Sequence, residues 1–162
     1  MGGVARFGFP ASVWRHFERL EAFPRGLLPF GDGICRFNPV YGQGMSVAAQ
    51  EACLLHRLLE TRAVKDDPLA GLAAAFLAEA QALIEGPWAM AAVPDFIHPE
   101  TRGQRPPDFE VTLKFGLALT RLAARDAAVH KLMLEVQHLL KPRSVYRDPA
   151  LVQRVLAVMA EA

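Results

Sequence analysis

The chain has 162 residues, enough for one ordinary domain, and its residues are 52% hydrophobic and 22% charged, which excludes an intrinsically disordered chain. Eighteen basic and 17 acidic residues give a net charge of +1, so we expect no electrostatic attraction to nucleic acid. No apolar run approaches the ~20 residues that a membrane-spanning helix needs. Two cysteines are too few for a disulfide framework. We therefore expect a cytoplasmic protein in a reducing setting, with no integral membrane segment.

The first sixty residues combine short extended or turn-rich segments with one long helix. Residues 4–10 predict a short extended segment, and the apolar spacing of residues 11–20 predicts a helix. The apolar run GLLPF (residues 26–30) predicts a short or edge strand, since its proline cannot donate to a ladder. Residues 44–59 predict the clearest helix of the chain. Its predicted apolar stripe consists of Met45, Ala48, Ala52, Leu55 and Leu59.

The rest of the chain predicts helices separated by one long loop. Asp67 followed by Pro68 predicts the start of a helix, and Pro87 predicts a kink or an end. Residues 93–107 contain four prolines and predict an irregular loop, which is either a binding segment or an exposed connection. Three further helices are predicted over residues 108–124, over residues 126–140 and from Asp148 onward.

One histidine of this loop, His98, is a candidate for acid–base or metal chemistry. His98 lies between Asp95 and Glu100, and two carboxylates near a histidine could bind a metal or tune a base. A solvated, charged loop explains the same residues more simply. We therefore assign no metal ligand and leave the catalytic residues unknown.

The glycine-rich stretch FGDGICRFNPVYGQGMSVAAQEA (residues 30–52) has the pattern of a ligand-binding loop. An aspartate after a strand, Asp32, offers a carboxylate acceptor to ribose or ribityl hydroxyls. Gly42 and Gly44 let the backbone approach a flat or anionic ligand, and Pro39 stiffens the segment. A helix that begins at Gly44 directs N–H groups and the positive end of its dipole towards that ligand. The alternative is a strand-to-helix turn whose glycines serve only steric needs.

These residues resemble a known family. The string GDGICRFNPVYGQGMSVAAQEA is similar to the second FAD-binding motif of the flavin-dependent aromatic hydroxylases and squalene-epoxidase-like monooxygenases. Their pattern is Gly-Asp, then a proline, then Gly-Gln-Gly and a helix rich in small residues. The similarity covers about residues 27–59. Beyond it only the layout is similar, with residues 139–156 looking like a C-terminal helical tail of the family.

The resemblance implies a role for six residues. Asp32 would accept hydrogen bonds from the ribityl chain of FAD, and Pro39 would shape the wall beside the isoalloxazine ring. Four further residues would lie along the flavin and its pyrophosphate: Gly42, Gln43, Gly44 and Met45. The resemblance also implies NAD(P)H as co-substrate and a small apolar or aromatic compound as the substrate that receives an oxygen atom.

The sequence departs from the family pattern in two respects. The commoner pattern reads GDAAH, whereas this chain has Gly33, Ile34 and Cys35 after the aspartate. The sequence also contains no GxGxxG string, which in the family binds the ADP half of FAD. We therefore expect the C-terminal portion of the family fold, which binds FAD weakly or not at all and is inactive without its N-terminal half.

The expected fold is mainly α. Short strands lead through the glycine-rich loop into a long helix, and a helical C-terminal region follows, so that the chain is a fragment of an α/β FAD-binding fold. Residues 1–60 would form a partial FAD-binding domain and residues 61–162 the helical region.

Two alternatives to the flavoprotein hypothesis remain open. The chain could be a non-catalytic helical subunit that pairs with a separately encoded N-terminal half. It could instead be a self-associating module without flavin, in which a homodimer covers the strand edge of residues 27–30 and the apolar helix faces.

Overall fold

The computed structural model describes residue 8 and residues 11–161. The chain divides into two compact units, Met1–Ala92 and Val93–Ala162. The described residues are mainly helical, which confirms the predicted mainly-α fold, whereas the assignment to a fragment of an α/β FAD-binding fold stays a prediction. They form β1 (Val13–Trp14), β2 (Cys35–Arg36), α1 (Gly44–Glu60), α2 (Leu72–Ala91), α3 (Phe109–Ala123), α4 (Ala127–Gln137) and α5 (Pro149–Ala160). Within this described part, no helix combines the length and apolarity required to cross a bilayer.

The strands of the first unit lie where the sequence did not predict them. β1 pairs antiparallel with β2, with Trp14 opposite Cys35, so the predicted helix over residues 11–20 is wrong apart from a short 3-10 turn. The reason is tertiary: the Trp14 ring packs on that of Trp88, 5.6 Å between centroids. The strand predicted at residues 26–30 is also absent, and Phe30 instead stacks on Phe76 of α2 at 6.1 Å. The extended segment predicted at residues 4–10 lies outside the described residues, except for residue 8.

Helix α1 buries a different face from the predicted one. Met45 is 87% exposed and Leu59 41% exposed, so the predicted stripe points largely to solvent. The buried residues of α1 are Val47, Glu51, Leu54 and Leu58. Both faces carry apolar residues, and the buried set includes a glutamate, a residue type that is rarely buried. The buried face packs against α2 and against the turn at residues 31–33.

Helix α2 begins later and ends later than predicted. Asp67 accepts a hydrogen bond from the Leu69 amide at 3.2 Å and an ion pair from Arg25 at 2.9 Å, which stabilises a turn that precedes the helix. The helix itself starts at Leu72. It continues past Pro87, which is buried, and ends at Ala91, although proline cannot donate the hydrogen bond of its position.

The second unit has the three helices that the sequence predicts. The Asp126 carboxylate accepts hydrogen bonds from the amides of Ala128 (2.7 Å) and Val129 (3.1 Å), which caps α4. The Asp148 carboxylate caps α5 through the Leu151 amide at 3.0 Å. The core of this unit consists of Ala118, Leu119, Leu122, Ala123, Val129, Leu151, Val155 and Val158. The predicted loop over residues 93–107 is irregular, with one 3-10 turn at Pro94–Ile97.

The two compact units are defined by how the chain packs, whereas the predicted division at residue 60 was based on the sequence motifs. Helix α2 belongs to the first unit because it packs against α1. The functional division into a partial FAD-binding domain (1–60) and a helical region (61–162) stays a prediction.

Candidate functional site

Asp32 lies in a single tight turn. Gly31–Gly33 forms one 3-10 turn, in which the Gly33 amide donates to the Phe30 carbonyl and the Ile34 amide donates to the Gly31 carbonyl, both at 2.9 Å. Gly31 has φ +52°, a conformation that favours glycine. The Asp32 residue itself is exposed. Its carboxylate can therefore accept hydrogen bonds from a ligand.

A second turn leads into helix α1. The Asn38 side chain accepts a hydrogen bond from the Val40 amide at 3.2 Å, and the Gly42 amide donates to the Pro39 carbonyl at 3.1 Å. Gly42 has φ +69°, so a side chain there would strain the backbone. Pro39 and Gly42 are both exposed. These local bonds fix the path by which the chain enters the helix.

The first turn of α1 presents its backbone amides. The Val47 amide donates to the Gln43 carbonyl at 3.0 Å, and the amides of residues 44–46 precede this bond, where a helix supplies no internal acceptor. Gln43 is only 6% exposed, whereas Met45 is 87% exposed. Within this turn, Gln43 thus belongs to the protein interior and Met45 to the surface.

The structure brings the Asp32 turn and the start of α1 together. A Cβ atom built on Gly44 would lie 4.0 Å from Oδ1 of Asp32, and that oxygen is the nearest atom to it. A carboxylate acceptor and the positive end of a helix therefore stand side by side. Of the six predicted residues, Asp32 and Gly44 lie close together, Pro39 and Gly42 are exposed in the turn before α1, and the other two flank Gly44 in the chain.

Glu51 supports this site, although the sequence did not single it out. It is fully buried, and its Oε2 accepts a hydrogen bond from the Gly31 amide at 2.7 Å. Its other oxygen, Oε1, is buried without a hydrogen-bond partner. Burial raises the pKa of this carboxyl, and the bond from Gly31 partly opposes the rise. The available signal was the spacing of Val47, Glu51, Leu54 and Leu58, which is the spacing of one helix face.

The two cysteines differ in reactivity. Burial raises the pKa of the Cys35 thiol to about 12, and the charges of Glu51 and Asp32 add to the rise. Cys35 therefore stays a neutral thiol at physiological pH and is no nucleophile. In the structure it behaves as a small buried hydrophobe. Cys53 of α1 is exposed.

The residues present fit the FAD groups that the resemblance places here. An exposed carboxylate suits hydroxyl donors such as those of a ribityl chain. The amides at the start of α1 suit an anionic or carbonyl-bearing ligand. Gly44 adds no side chain between the two, so a ligand can approach the backbone there.

A separate groove runs between α1 and α2. Its volume is about 680 Å³, and an ion pair between Arg57 and Glu79 lies at its wall. It contains none of the six predicted residues. The remaining lining residues are Ala49, Gln50, Cys53, Leu54, Ala82 and Leu83.

The described residues offer no set of side chains placed to bind a metal ion. Within residues 11–161 there is no group of three or more His, Cys, Asp or Glu side chains placed to hold a metal ion. His98 and Glu100 are exposed, in keeping with a solvated loop.

A comparison with curated proteins finds a relative, but that relative indicates no activity for this chain. No protein-family model matches the chain. The chain is 43% identical over 96 residues to Protein Rv3254 of Mycobacterium tuberculosis (strain ATCC 25618 / H37Rv). The match covers 59% of this chain and 20% of the relative, so it spans about a fifth of that protein's length. The name of the relative states no function, and the functional argument therefore rests on the site.

Proposed function

We propose that this chain contributes the flavin side of an FAD site in a cytoplasmic monooxygenase-type oxidoreductase. The observation that carries the proposal is the exposed Asp32 carboxylate beside the first turn of α1. When bound, FAD would supply the redox chemistry, taking electrons from NAD(P)H and reacting with oxygen so that one oxygen atom passes to an apolar or aromatic substrate. The residues of this chain bind and orient the cofactor.

Asp32 is the acceptor for the ribityl hydroxyls. Its backbone is held by Arg15, whose guanidinium donates to the carbonyls of Asp32 (3.2 Å) and Gly33 (3.4 Å). The side chain is left to the ligand. A carboxylate that accepts hydrogen bonds from hydroxyls gives both affinity and orientation, because charge-assisted bonds are shorter and stronger than neutral ones.

The first turn of α1 faces the electron-rich end of the flavin. Its amides donate hydrogen bonds, and its dipole places roughly half a positive charge at the helix start. Negative charge on a ligand ring or phosphate is stabilised there. Gly44 is the point where a ligand reaches this turn, since no Cβ stands in front of Asp32.

The ADP half of FAD needs other residues. Because the sequence contains no GxGxxG string, the proposal assigns that half to an N-terminal half of the protein or to a homodimer partner. The isolated chain should then bind FAD only weakly and show no oxygenase activity.

The turn that starts at Pro39 would form the wall beside the isoalloxazine ring of the flavin.

Amide NMR tests the proposal, because it detects binding too weak for gel filtration. The isotope-labelled chain is titrated with FAD to millimolar concentration, and the same titration is run with flavin mononucleotide and with ADP. We expect shift changes at residues 31–33 and 42–46 with both flavins and little change there with ADP.

Each titration result bears on the proposal. Equal responses to ADP and to flavin mononucleotide would show that the helix start binds phosphate only, which contradicts a flavin site. Absence of any response, or a response centred on the groove residues Gln50, Cys53 and Leu83, would contradict the assignment of residues 31–46.

A further inference from the structure

The buried side of the Asp32 turn is held by one carboxyl group. Glu51 lies on the same face of α1 as Val47, Leu54 and Leu58, all of which are buried apolar residues. A carboxyl group at such a position carries a desolvation cost that an apolar side chain would avoid. One of its oxygens reaches the Gly31 amide at 2.7 Å, and the other is buried without a partner. Core packing alone does not require this residue.

The turn at residues 31–33 packs against helix α1. Glu51 follows Gly44 by seven residues, which places it on nearly the same face roughly 10 Å along the axis. A Cβ atom added to Gly44 would lie 4.0 Å from Oδ1 of Asp32, and one added to Gly31 would lie 3.7 Å from the Ala48 Cβ. The hydrogen bond that the Gly31 amide donates to Glu51 joins the turn directly to the helix.

We propose that Glu51 is a positioning residue of the flavin site: by accepting the Gly31 amide it holds the Asp32 carboxylate at the start of α1. This inference rests on the proposed function for its ligand. Glu51 does not touch the ligand and acts through Asp32. Arg15 holds the outer carbonyls of the same turn, so that the Asp32 backbone is fixed from both sides.

Either protonation state of Glu51 can fulfil this role. A carboxylate accepts the Gly31 amide with any oxygen, and a carboxylic acid still accepts it with the carbonyl oxygen. A glutamine in the same rotamer accepts it as well. The acceptor is therefore the required feature, whereas the charge is not.

The test compares three variants on one helix. Glu51→Gln keeps an acceptor, Glu51→Leu removes it, and Glu60→Gln is the control, since Glu60 is an exposed residue of α1. For each variant we would measure the hydrogen exchange of the Gly31 amide, the FAD affinity by amide NMR and the urea midpoint. Glu51→Leu should speed exchange at Gly31 and weaken FAD binding roughly tenfold, without a lower urea midpoint. The other two variants should match the wild type in Gly31 exchange and in affinity.

A double-mutant cycle separates positioning from a merely structural role. If Glu51 acts through Asp32, then Glu51→Leu should weaken FAD binding in the wild type but have little further effect in an Asp32→Ala background. Equal losses in both backgrounds would overturn the proposal. A Glu51→Leu protein that fails to fold would also overturn it, since the acceptor would then serve the fold.

Failure of the proposed function can be distinguished from failure of this inference. If the wild-type amides do not respond to flavin, the flavin site is refuted and the ligand part of the inference with it. The exchange rate of the Gly31 amide in Glu51→Leu still decides whether Glu51 holds the turn. Unchanged exchange there, together with normal flavin binding by the wild type, would refute the positioning role alone.

Discussion

The two glycines before and at the start of α1 should respond to alanine in opposite ways. Gly42 has φ +69°, and no atom stands within 4 Å of an added Cβ, so its alanine variant suffers from backbone strain alone. Left-handed backbone costs an L-residue about 1–2 kcal/mol. Gly44 has no positive φ, and the nearest atom to its Cβ is 4.0 Å away. Alanine there should stabilise the chain by about 0.5 kcal/mol, because it restricts the unfolded state without strain.

The same two alanine variants distinguish effects on folding from effects on ligand binding. The methyl group of Gly44→Ala would lie next to the Asp32 carboxylate. It would occupy the space through which the ligand reaches the backbone at Gly44. We expect this variant to bind FAD about tenfold more weakly, a difference of about 1.4 kcal/mol, in spite of equal or higher stability. Valine at the same position should weaken binding further.

Urea unfolding and amide NMR titration with FAD supply the two readouts. The free energies of unfolding of the two alanine variants should differ by roughly 1.5–2.5 kcal/mol, with Gly42→Ala the less stable. If Gly44→Ala and Gly44→Val both bound FAD with wild-type affinity, the loop would not be the flavin contact. If Gly42→Ala were as stable as the wild type, the strain argument would be wrong.

Three further predictions concern the carboxyl and thiol groups of this site. Asp32→Ala should weaken FAD binding by about tenfold to a hundredfold, because it removes a charge-assisted acceptor worth roughly 1.5–3 kcal/mol; unchanged affinity in the amide titration would exclude Asp32 from the site. Burial raises the pKa of Glu51 in the folded state, so the wild type should gain stability as the pH falls through that raised pKa towards the ordinary value. Urea unfolding of Glu51→Gln should lack this gain, and parallel pH profiles of the two proteins would refute the sign. Iodoacetamide should modify the exposed Cys53 and spare the buried Cys35, which mass spectrometry of the native chain would show; rapid labelling of Cys35 would contradict its burial.

The sequence was a good guide to several helix starts, although the local signal at Asp67 and Pro68 marks a turn before α2 rather than the helix itself. Asp126 and Asp148 each precede a helix and cap it in the structure, as their position before an apolar periodic run predicts. The start of α1 at Gly44 follows in the same way from the glycines that precede it. The proximity of Asp32 to that start was expected from the motif, and the structure places them together.

The failures have tertiary causes. Residues 13–14 form a strand because Trp14 packs on Trp88 and its backbone pairs with residue 35, and neither partner is visible in the local pattern. Glu51 was missed for a related reason. A glutamate in a helical pattern indicates a solvent-facing side, and only the position of the Gly31 amide explains why this one is buried. The apolar stripe predicted for α1 was wrong for the same reason, since it lies largely at the surface.

The intermolecular nuclear Overhauser effect between the chain and bound flavin mononucleotide tests the flavin site most directly. We expect contacts from the ribityl protons to the side chain of Asp32 and to the Hα protons of Gly44. Contacts from the flavin to the groove between α1 and α2, with none at Asp32 or Gly44, would contradict it.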